Sequence, residues 1–383
     1  MPYVTVKQMP ASHQFSLDEL IFGDLDRAVP APPWKNVKGA TRTYLISWPS
    51  DKLYRQLDVA ALIRRLEQFN QQFEPLFQAE RASLYSHYEI PKKNGKGKRP
   101  IDQPHADLDL ALRILKSIFE SDFRVLHHTA AYAYVTGRCT VDAARRHQAN
   151  DSRWYLKTDF SNFFGSTTLE FTMAQFSQIF PFSEVVRYPR GKAALEKALS
   201  LCFLNGGLPQ GTPISPLLTN AVMIPIDYEL SNTLRDYEKN RYIYTRYADD
   251  ITISSRYDFD YRKIVALIDR VLEKNHAPFR IKPEKTHYGS RSGRNWMLGL
   301  MVNKDNEITL GHRRKRDLRA WIFNYLTDRQ NHIPTPVGEL NRLQGNISYA
   351  AMVEPAWMKA VLELYGQQFG GDVKEMLRQD IAA

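Results

Sequence analysis

Apolar residues begin to recur at helical spacing near Leu53 and continue through KLYRQLDVAALIRRLEQFNQQFEPL, which predicts an amphipathic helix. The pattern then switches to alternation in SHYEIPKKNGKGKRPID, where a Gly-rich basic turn separates strand-like runs and predicts a hairpin. A helical period returns in HADLDLALRILKSIFESDF. WYLKTDFSNFF, from Trp154 to Phe164, has strand character, with Leu156 and Thr158 on one face and Tyr155, Lys157 and Asp159 on the other. After Gly206 and Gly207, LPQGTPISPLLTNAVMIPIDYELSNTL reads as a loop opening into a helix. Ser215 fits its N-cap, Pro216 its first helical position, and Pro225 would kink it. Further on, the pattern predicts a hairpin at Asp249, a helix from Tyr261 to Lys274, a strand over FRIKPEKTHYGS, and a helical tail from Arg313. In that tail Leu318, Trp321, Ile322 and Tyr325 share a face. Residues 1–45, with VPAPPW and little periodicity, predict an extended appendage, and the chain holds no internal repeat.

At 383 residues the chain exceeds one ordinary domain and can bury a sizeable core, so more than one structural unit is expected. Lys and Arg number 52 against 42 Asp and Glu, a net charge of +10, and 20 Tyr accompany 19 Phe. That balance suits a polyanionic partner, although charge alone does not separate nucleic acid from an anionic membrane. No apolar run approaches the roughly 18 residues that span a bilayer, and MPYVTVKQMPASHQ lacks the apolar core of a signal peptide. The expectation is a cytoplasmic protein without a membrane partner. Cys139 and Cys202 lie far apart with no CxxC pattern, which argues against a disulfide framework or structural zinc and predicts ordinary semi-buried thiols.

The adjacent acids in YTRYADDITIS, Tyr244 to Ser254, change the picture. Asp-Asp at a hairpin tip is often plain turn chemistry. Here the flanks, YIYTRY and ITISS, read as semi-buried strands, so repulsion and desolvation would penalise both carboxylates. A divalent cation would offset that penalty. Magnesium takes carboxylate and phosphate oxygens, and a polymerase uses a pair of such ions about 4 Å apart. The pair needs a carboxylate from another strand, and Asp159, ending WYLKTD, is the best remote candidate.

These residues carry a resemblance. DFSNFF at Asp159, LPQGTPISPLLTN from Leu208, YADD from Tyr247, PEKT from Pro283 and LGLMVN from Leu298 follow the order and spacing of reverse transcriptase motifs. Upstream, IPKKNGKGKRPI from Ile90 is similar to the fingers motif, and AYVTGRCTVDAARRH from Ala133 to the motif after it. The resemblance covers roughly residues 80–320; any one piece is weak, but the ordered set is specific. It implies an α+β right hand: fingers over 46–150, a palm of antiparallel strands backed by helices over 151–305, and a short helical thumb over 306–383. It also implies an RNA-directed DNA polymerase that extends a 3′-hydroxyl with dNTPs on an RNA template, using two Mg²⁺ ions, with Mn²⁺ as a substitute.

By the same resemblance Asp159, Asp249 and Asp250 form the metal triad, completed by the Phe160 carbonyl. Phe164 would lie beneath the sugar of the incoming nucleotide and exclude a 2′-hydroxyl, while Phe163 is expected in the core. Arg99, among Lys92, Lys93, Lys96 and Lys98 of the basic turn, would grip the triphosphate, with Lys98 toward nucleic acid. Pro209, Gln210 and Gly211 would line the nucleotide pocket. Lys285, with Lys282 as the fallback, would protonate or neutralise the leaving pyrophosphate. Arg313, Arg314, Lys315 and Arg316 would contact template or primer phosphates.

The layout looks most like the bacterial retron and defence-associated group. Ala144 and His147 fit the retron Asn-Ala-x-x-His element, but Ala143 stands in place of Asn, and Met297, Leu298, Gly299 replace Val-Thr-Gly. The expectation is therefore a retron-like or "unknown group" enzyme linked to antiphage defence, a dedicated non-coding RNA and an accessory effector protein. Two competing classes are a template-independent or protein-primed nucleotidyltransferase, or an RNA polymerase, on the same palm, and an inactive RNA-binding module. The intact acids speak against the last, because clustered carboxylates would repel a polyanion.

Overall fold

The structure, a computed structural model, describes residues 59–91, 97–122, 126–239, 241–293 and 296–382. The appendage over residues 1–45 and the turn lysines Lys92, Lys93 and Lys96 lie outside the described residues. The first described helix, α1 (Val59–Gln72), buries Leu62, Ile63, Leu66 and Phe69 as its periodicity dictates. Strands β1 (Tyr85–Pro91) and β2 (Lys98–Pro104) form a largely exposed antiparallel hairpin, from Tyr85 opposite Pro104 to Pro91 opposite Lys98. Helices α2 (Ala106–Asp122) and α3 (Thr140–Ala149) lead to the central sheet.

That sheet contains β3 (Trp154–Asp159), β4 (Ile243–Tyr247), β5 (Asp250–Ser255) and β6 (His287–Ser290), all pairings antiparallel, in the order β4-β5-β3-β6. Between β3 and β4 run α4 (Leu169–Phe176), α5 (Pro189–Ser200), α6 (Ser215–Val222) and α7 (Ile224–Asp236); α8 (Tyr261–Lys274) follows β5. A small sheet of β7 (Trp296–Met297), β8 (Leu300–Val302) and β9 (Ile308–Thr309) precedes α9 (His312–Gln330), α10 (Val337–Val353), α11 (Pro355–Phe369) and α12 (Val373–Ala382).

Alternation along β3 divides the protein between two cores. Leu156, with Ile251, Ile253 and Tyr244 across the ladder, belongs to the large core beneath the sheet, which includes α1, α2 and α8. The neighbouring Tyr155 belongs to a second core built from β7–β9, the C-terminal helices, and Val141 and Ala144 of α3. Helix α3 touches both β4 and β8 and so forms the seam. His147, fully buried on α3, bonds through Nδ1 to the Ser254 hydroxyl at 2.6 Å and through Nε2 to the Thr245 hydroxyl at 2.8 Å. Burial lowers its pKa to about 3, so a neutral imidazole clasps β4 and β5.

Local deviations have simple causes. Helix α6 starts at Ser215 itself, with Ile214 at the N-cap, because the Thr212 hydroxyl accepts the Ser215 N–H at 3.3 Å and bonds the Ser215 hydroxyl at 2.6 Å. Pro225 breaks the helix as expected, at Met223. The strand expected over FRIKPEKTHYGS is shortened to β6, because Pro283 opens a short 3₁₀ turn through Lys285. Cys202 is fully buried rather than semi-buried, and both cysteines are free.

A fully buried ion pair lies under the β4–β5 hairpin. Arg246 follows Tyr244 on the core-facing register of β4, and its guanidinium donates to Asp227 on α7 through Nε to Oδ1 at 3.0 Å and Nη2 to Oδ2 at 2.7 Å. The Tyr244 hydroxyl donates to the same carboxylate at 2.6 Å. The remaining Arg246 nitrogen, Nη1, donates to Asn220 Oδ1 at 3.2 Å and to the Ala248 carbonyl at 3.1 Å. Removing one member strands the other in the interior, so Asp227→Ala is expected to destabilise the protein by about 3–5 kcal/mol in urea unfolding. A loss within experimental error would mean the pair is dispensable.

Candidate active site

The register of the central sheet places acids side by side. Asp159 is the last residue of β3 and pairs directly with Asp250, the first of β5, while Tyr247 closes the hairpin opposite Asp250. Ala248 and Asp249 form the connecting turn, with Ala248 in the left-handed region at φ 56°. The Asp249 carbonyl accepts the Phe160 N–H at 3.2 Å, which ties the turn to the end of β3. Asp159 and Asp250 project on the Tyr155 face, away from the large core, so the structure brings the predicted triad to one end of the sheet.

The electrostatics are those of under-compensated negative charge. Asp159 is 4% exposed, and its carboxylate is held by Lys282 Nζ at 2.8 Å and Lys285 Nζ at 2.5 Å. Burial, then the Asp159 charge, pushes the Asp249 carboxyl up. Burial, then Asp249 and Asp159, raises Asp250 to about 6. Lys285 is shifted up: desolvation opposes its charge, but the Asp159 hydrogen bond and the charges of Asp249 and Asp250 outweigh it. Both lysines are thus part of the site, including the fallback Lys282.

Among the described residues, no group of three or more His, Cys, Asp or Glu side chains is arranged as a ready metal cage. The acid pairing nevertheless fits a magnesium-like ion, which is held by one or two carboxylates together with substrate phosphates rather than by an all-protein shell. The Phe160 ring is buried against Phe279, and its carbonyl lies on the same chain segment as Asp159.

The walls of the site are set by close backbone contacts. Phe164 is half-buried beside Phe163, which is in the core as expected. The Phe164 carbonyl accepts the Leu208 N–H at 3.0 Å. Gly207 permits this approach, since a Cβ there would stand 2.1 Å from the Gly165 carbonyl oxygen. Gly211, at φ 120°, comes similarly close to Asp102, and the Gln210 carbonyl accepts the Asp102 N–H at 2.7 Å. The loop holding buried Pro209 and half-exposed Gln210 is therefore bonded to β2, three residues from exposed Arg99.

Comparison with known proteins decides the family. The model for "Reverse transcriptase (RNA-dependent DNA polymerase)" matches residues 90–317. This chain belongs to the reverse transcriptase family. It is 28% identical over 318 residues to the Retron Ec83 reverse transcriptase of Escherichia coli, covering 79% of this chain and 94% of that protein. It is 30% identical over 310 residues to the Retron Mx162 reverse transcriptase of Myxococcus xanthus, covering 74% of this chain and 61% of that protein. Among solved structures, telomerase from Candida albicans with a telomeric RNA fragment gives a TM-score of 0.43 at 12% identity, covering 76% of this chain and 56% of that one; this likeness is too distant to carry weight. The chain is a reverse transcriptase, an RNA-directed DNA polymerase, of a family that depends on divalent metal.

The basic cluster of this reverse transcriptase separates into different environments. Arg313 is exposed, 3.8 Å from Asp317, and Arg316 lies 3.4 Å from Asp317. Lys315 turns inward to Glu354 at 2.8 Å and over the Trp357 ring, and Arg314 lies over Tyr349. Glu354 also accepts the Leu310 N–H at 2.8 Å and the Thr309 hydroxyl at 3.0 Å, so Glu354 joins the end of β9 to Lys315 on α9. Lys98 pairs across the hairpin with Glu89 at 2.9 Å. Sequence reasoning missed Arg246, Asp227 and Asn220. The available signal was a charge on the core-facing alternation of a strand, set against an acid in the apolar stretch MIPIDYEL.

The raised Asp250 pKa has a signed consequence. A folded-state value of about 6 against an ordinary 3.8 makes the folded enzyme the better proton binder between those values. Its metal-free stability therefore falls as pH rises through that window. Asp250→Asn is expected to raise the melting temperature at neutral pH in EDTA, with the gain vanishing once pH drops below the ordinary carboxylate range. A lower neutral-pH melting temperature in the variant would contradict the assignment.

Proposed function

We propose that this reverse transcriptase extends a 3′-hydroxyl with dNTPs by two-metal chemistry centred on Asp159 and Asp249, with Asp250 more peripheral. The observation that carries this reading is the registered pairing of Asp159 with Asp250 beside the Asp249 turn. Magnesium, or manganese in its place, would be held by these carboxylates and the Phe160 carbonyl; when bound, it supplies Lewis acidity to activate the hydroxyl and steady the triphosphate. Before substrate arrives, Lys282 and Lys285 supply compensating charge to Asp159. Lys285, kept protonated by the acids around it, is then placed to neutralise or protonate the departing pyrophosphate.

Phe164 lies at the wall beneath the incoming sugar and rejects a 2′-hydroxyl by collision. Gln210 and Gly211 shape the pocket from the loop bonded to β2, and Arg99 on that strand meets the triphosphate. Arg313, Arg314 and Arg316 face the phosphates of the template–primer duplex. The identity with retron enzymes over most of the chain supports a dedicated non-coding RNA as template and a retron-like or antiphage setting.

Primer extension on an annealed RNA template tests the chemistry. Asp249→Ala should lower templated dNTP incorporation by about a hundredfold or more, and should also abolish the rise in melting temperature that Mg²⁺ gives wild type. Full activity in the variant would end the assignment. Phe164→Ala should raise ribonucleotide use by roughly tenfold while sparing dNTP use; an unchanged sugar preference would place the selecting group elsewhere. Sequencing nucleic acid that co-purifies with the enzyme should return one recurrent RNA joined to complementary DNA, and a random RNA population would refute a dedicated template.

A further inference from the structure

Tyr134 has an unusual position for a bulky aromatic residue. It adopts φ 59°, a left-handed conformation that a side chain of this size rarely takes, and 56% of its surface is exposed. Such strain persists only where the surroundings over-determine it, and here they do. The Ala133 carbonyl accepts Asn220 Nδ2 at 2.8 Å, and Asn220 is itself held by Arg246. Arg246 also bonds this segment through its backbone, its N–H to the Ala130 carbonyl at 2.7 Å and its carbonyl to the Tyr132 N–H at 2.9 Å. From the other side, Arg138 donates to the Thr129 carbonyl at 2.9 Å and the Ala131 carbonyl at 2.7 Å. The chain leading into Tyr134 is clamped, yet the ring it presents stays open.

Three neighbours of that ring, Phe164, Asp249 and Arg99, face the nucleotide in the reading above. Its centroid lies 6.4 Å from that of Phe164 with the rings at 75°, an edge-to-face contact. Its hydroxyl lies within electrostatic reach of Asp249, Tyr247 and Arg99. The ring is thus open to solvent on one side and packed against Phe164 on the other.

We infer that Tyr134 is a nucleotide-pocket residue, whose ring packs against the sugar and base of the incoming deoxynucleotide and braces Phe164 beneath it. The inference rests on Asp249 as a catalytic carboxylate and on Phe164 as the sugar-facing wall. Clamping by Asn220 and Arg138 fixes the backbone that presents the ring before substrate binds, so less conformational freedom is lost on binding. The backbone strain is the counterpart of that rigidity, and it gives the inference a distinctive signature: stability and substrate affinity should move apart when the ring is removed by glycine.

The experiment compares Tyr134→Phe, Tyr134→Ala, Tyr134→Gly and Asp249→Ala in primer extension, measuring the dNTP KM, kcat, primer–template Kd and melting temperature. Tyr134→Phe keeps the ring and should restore most of the dNTP affinity that Tyr134→Ala loses. Tyr134→Ala and Tyr134→Gly should raise the dNTP KM by roughly tenfold, as for loss of one stacked ring, with primer–template affinity unchanged. Tyr134→Gly should melt no lower than Tyr134→Ala, because glycine accepts the positive φ without strain. Combining Tyr134→Ala with Phe164→Ala should cost less than the sum of the two, since the rings act together. An unchanged dNTP KM, a change confined to primer–template Kd, or loss of cooperative melting in both ring-deleted variants would overturn the inference. Polymerisation surviving in Asp249→Ala would instead show that the underlying site reading had failed.

Discussion

A guanidinium sealed in an interior must have its donors satisfied, and at Arg246 that requirement organises the site. Its partners come from separate parts of the chain: Asp227 on α7, Asn220 on α6, and the Ala248 carbonyl in the turn before Asp249. Burial alone would pull the charge down, but the Asp227 carboxylate more than offsets it, and the arginine is held charged. A buried pair of this kind contributes less to net stability than to uniqueness, because shifting β4 by a residue would carry Arg246 out of its cage. The left-handed Ala248, the placement of Asp249 after it, and the pinned carbonyl of Ala133 all follow from that one arrangement.

Charge is distributed with a purpose above this foundation. The chain carries a net +10, yet at the strand ends desolvation, and then the gathering of Asp159, Asp249 and Asp250, raises the pKa of the latter two. Lys282 and Lys285 moderate the repulsion from the 3₁₀ turn that Pro283 opens. The result is a group of acids with residual demand for positive charge, while the β1–β2 hairpin is bonded to the loop through Gln210. Burial sharpens that demand, because the carboxylates are less screened there than in water.

The same sheet couples the site to the C-terminal helices. Tyr155 and Leu156 are neighbours in sequence and belong to different cores, and α3 spans the boundary with neutral His147 clasping β4 and β5. Thr140 at the start of α3 meets the Tyr349 hydroxyl on α10 at 3.2 Å, next to the ring that carries Arg314. Helix α3 thus ties those helices to the two strands that flank the Asp249 turn.

Much of this was legible from sequence because it depends on local rules. Alternation in WYLKTD placed Asp159 on the face opposite Leu156, the Asp249 turn followed from paired strand runs, and Pro225 marked a helix break where one occurs. The family followed from the order of motifs. What sequence could not supply was any property set by partners far apart in the chain. The two lysines on Asp159 lie 123 and 126 residues from it, His147 finds its hydroxyls 98 and 107 residues on, and Arg246 reads as one more basic residue until Asp227 and Asn220 are brought against it. Periodicity reports which way a side chain points; only the folded chain decides what waits there, because burial and charge pairing are properties of the space between elements.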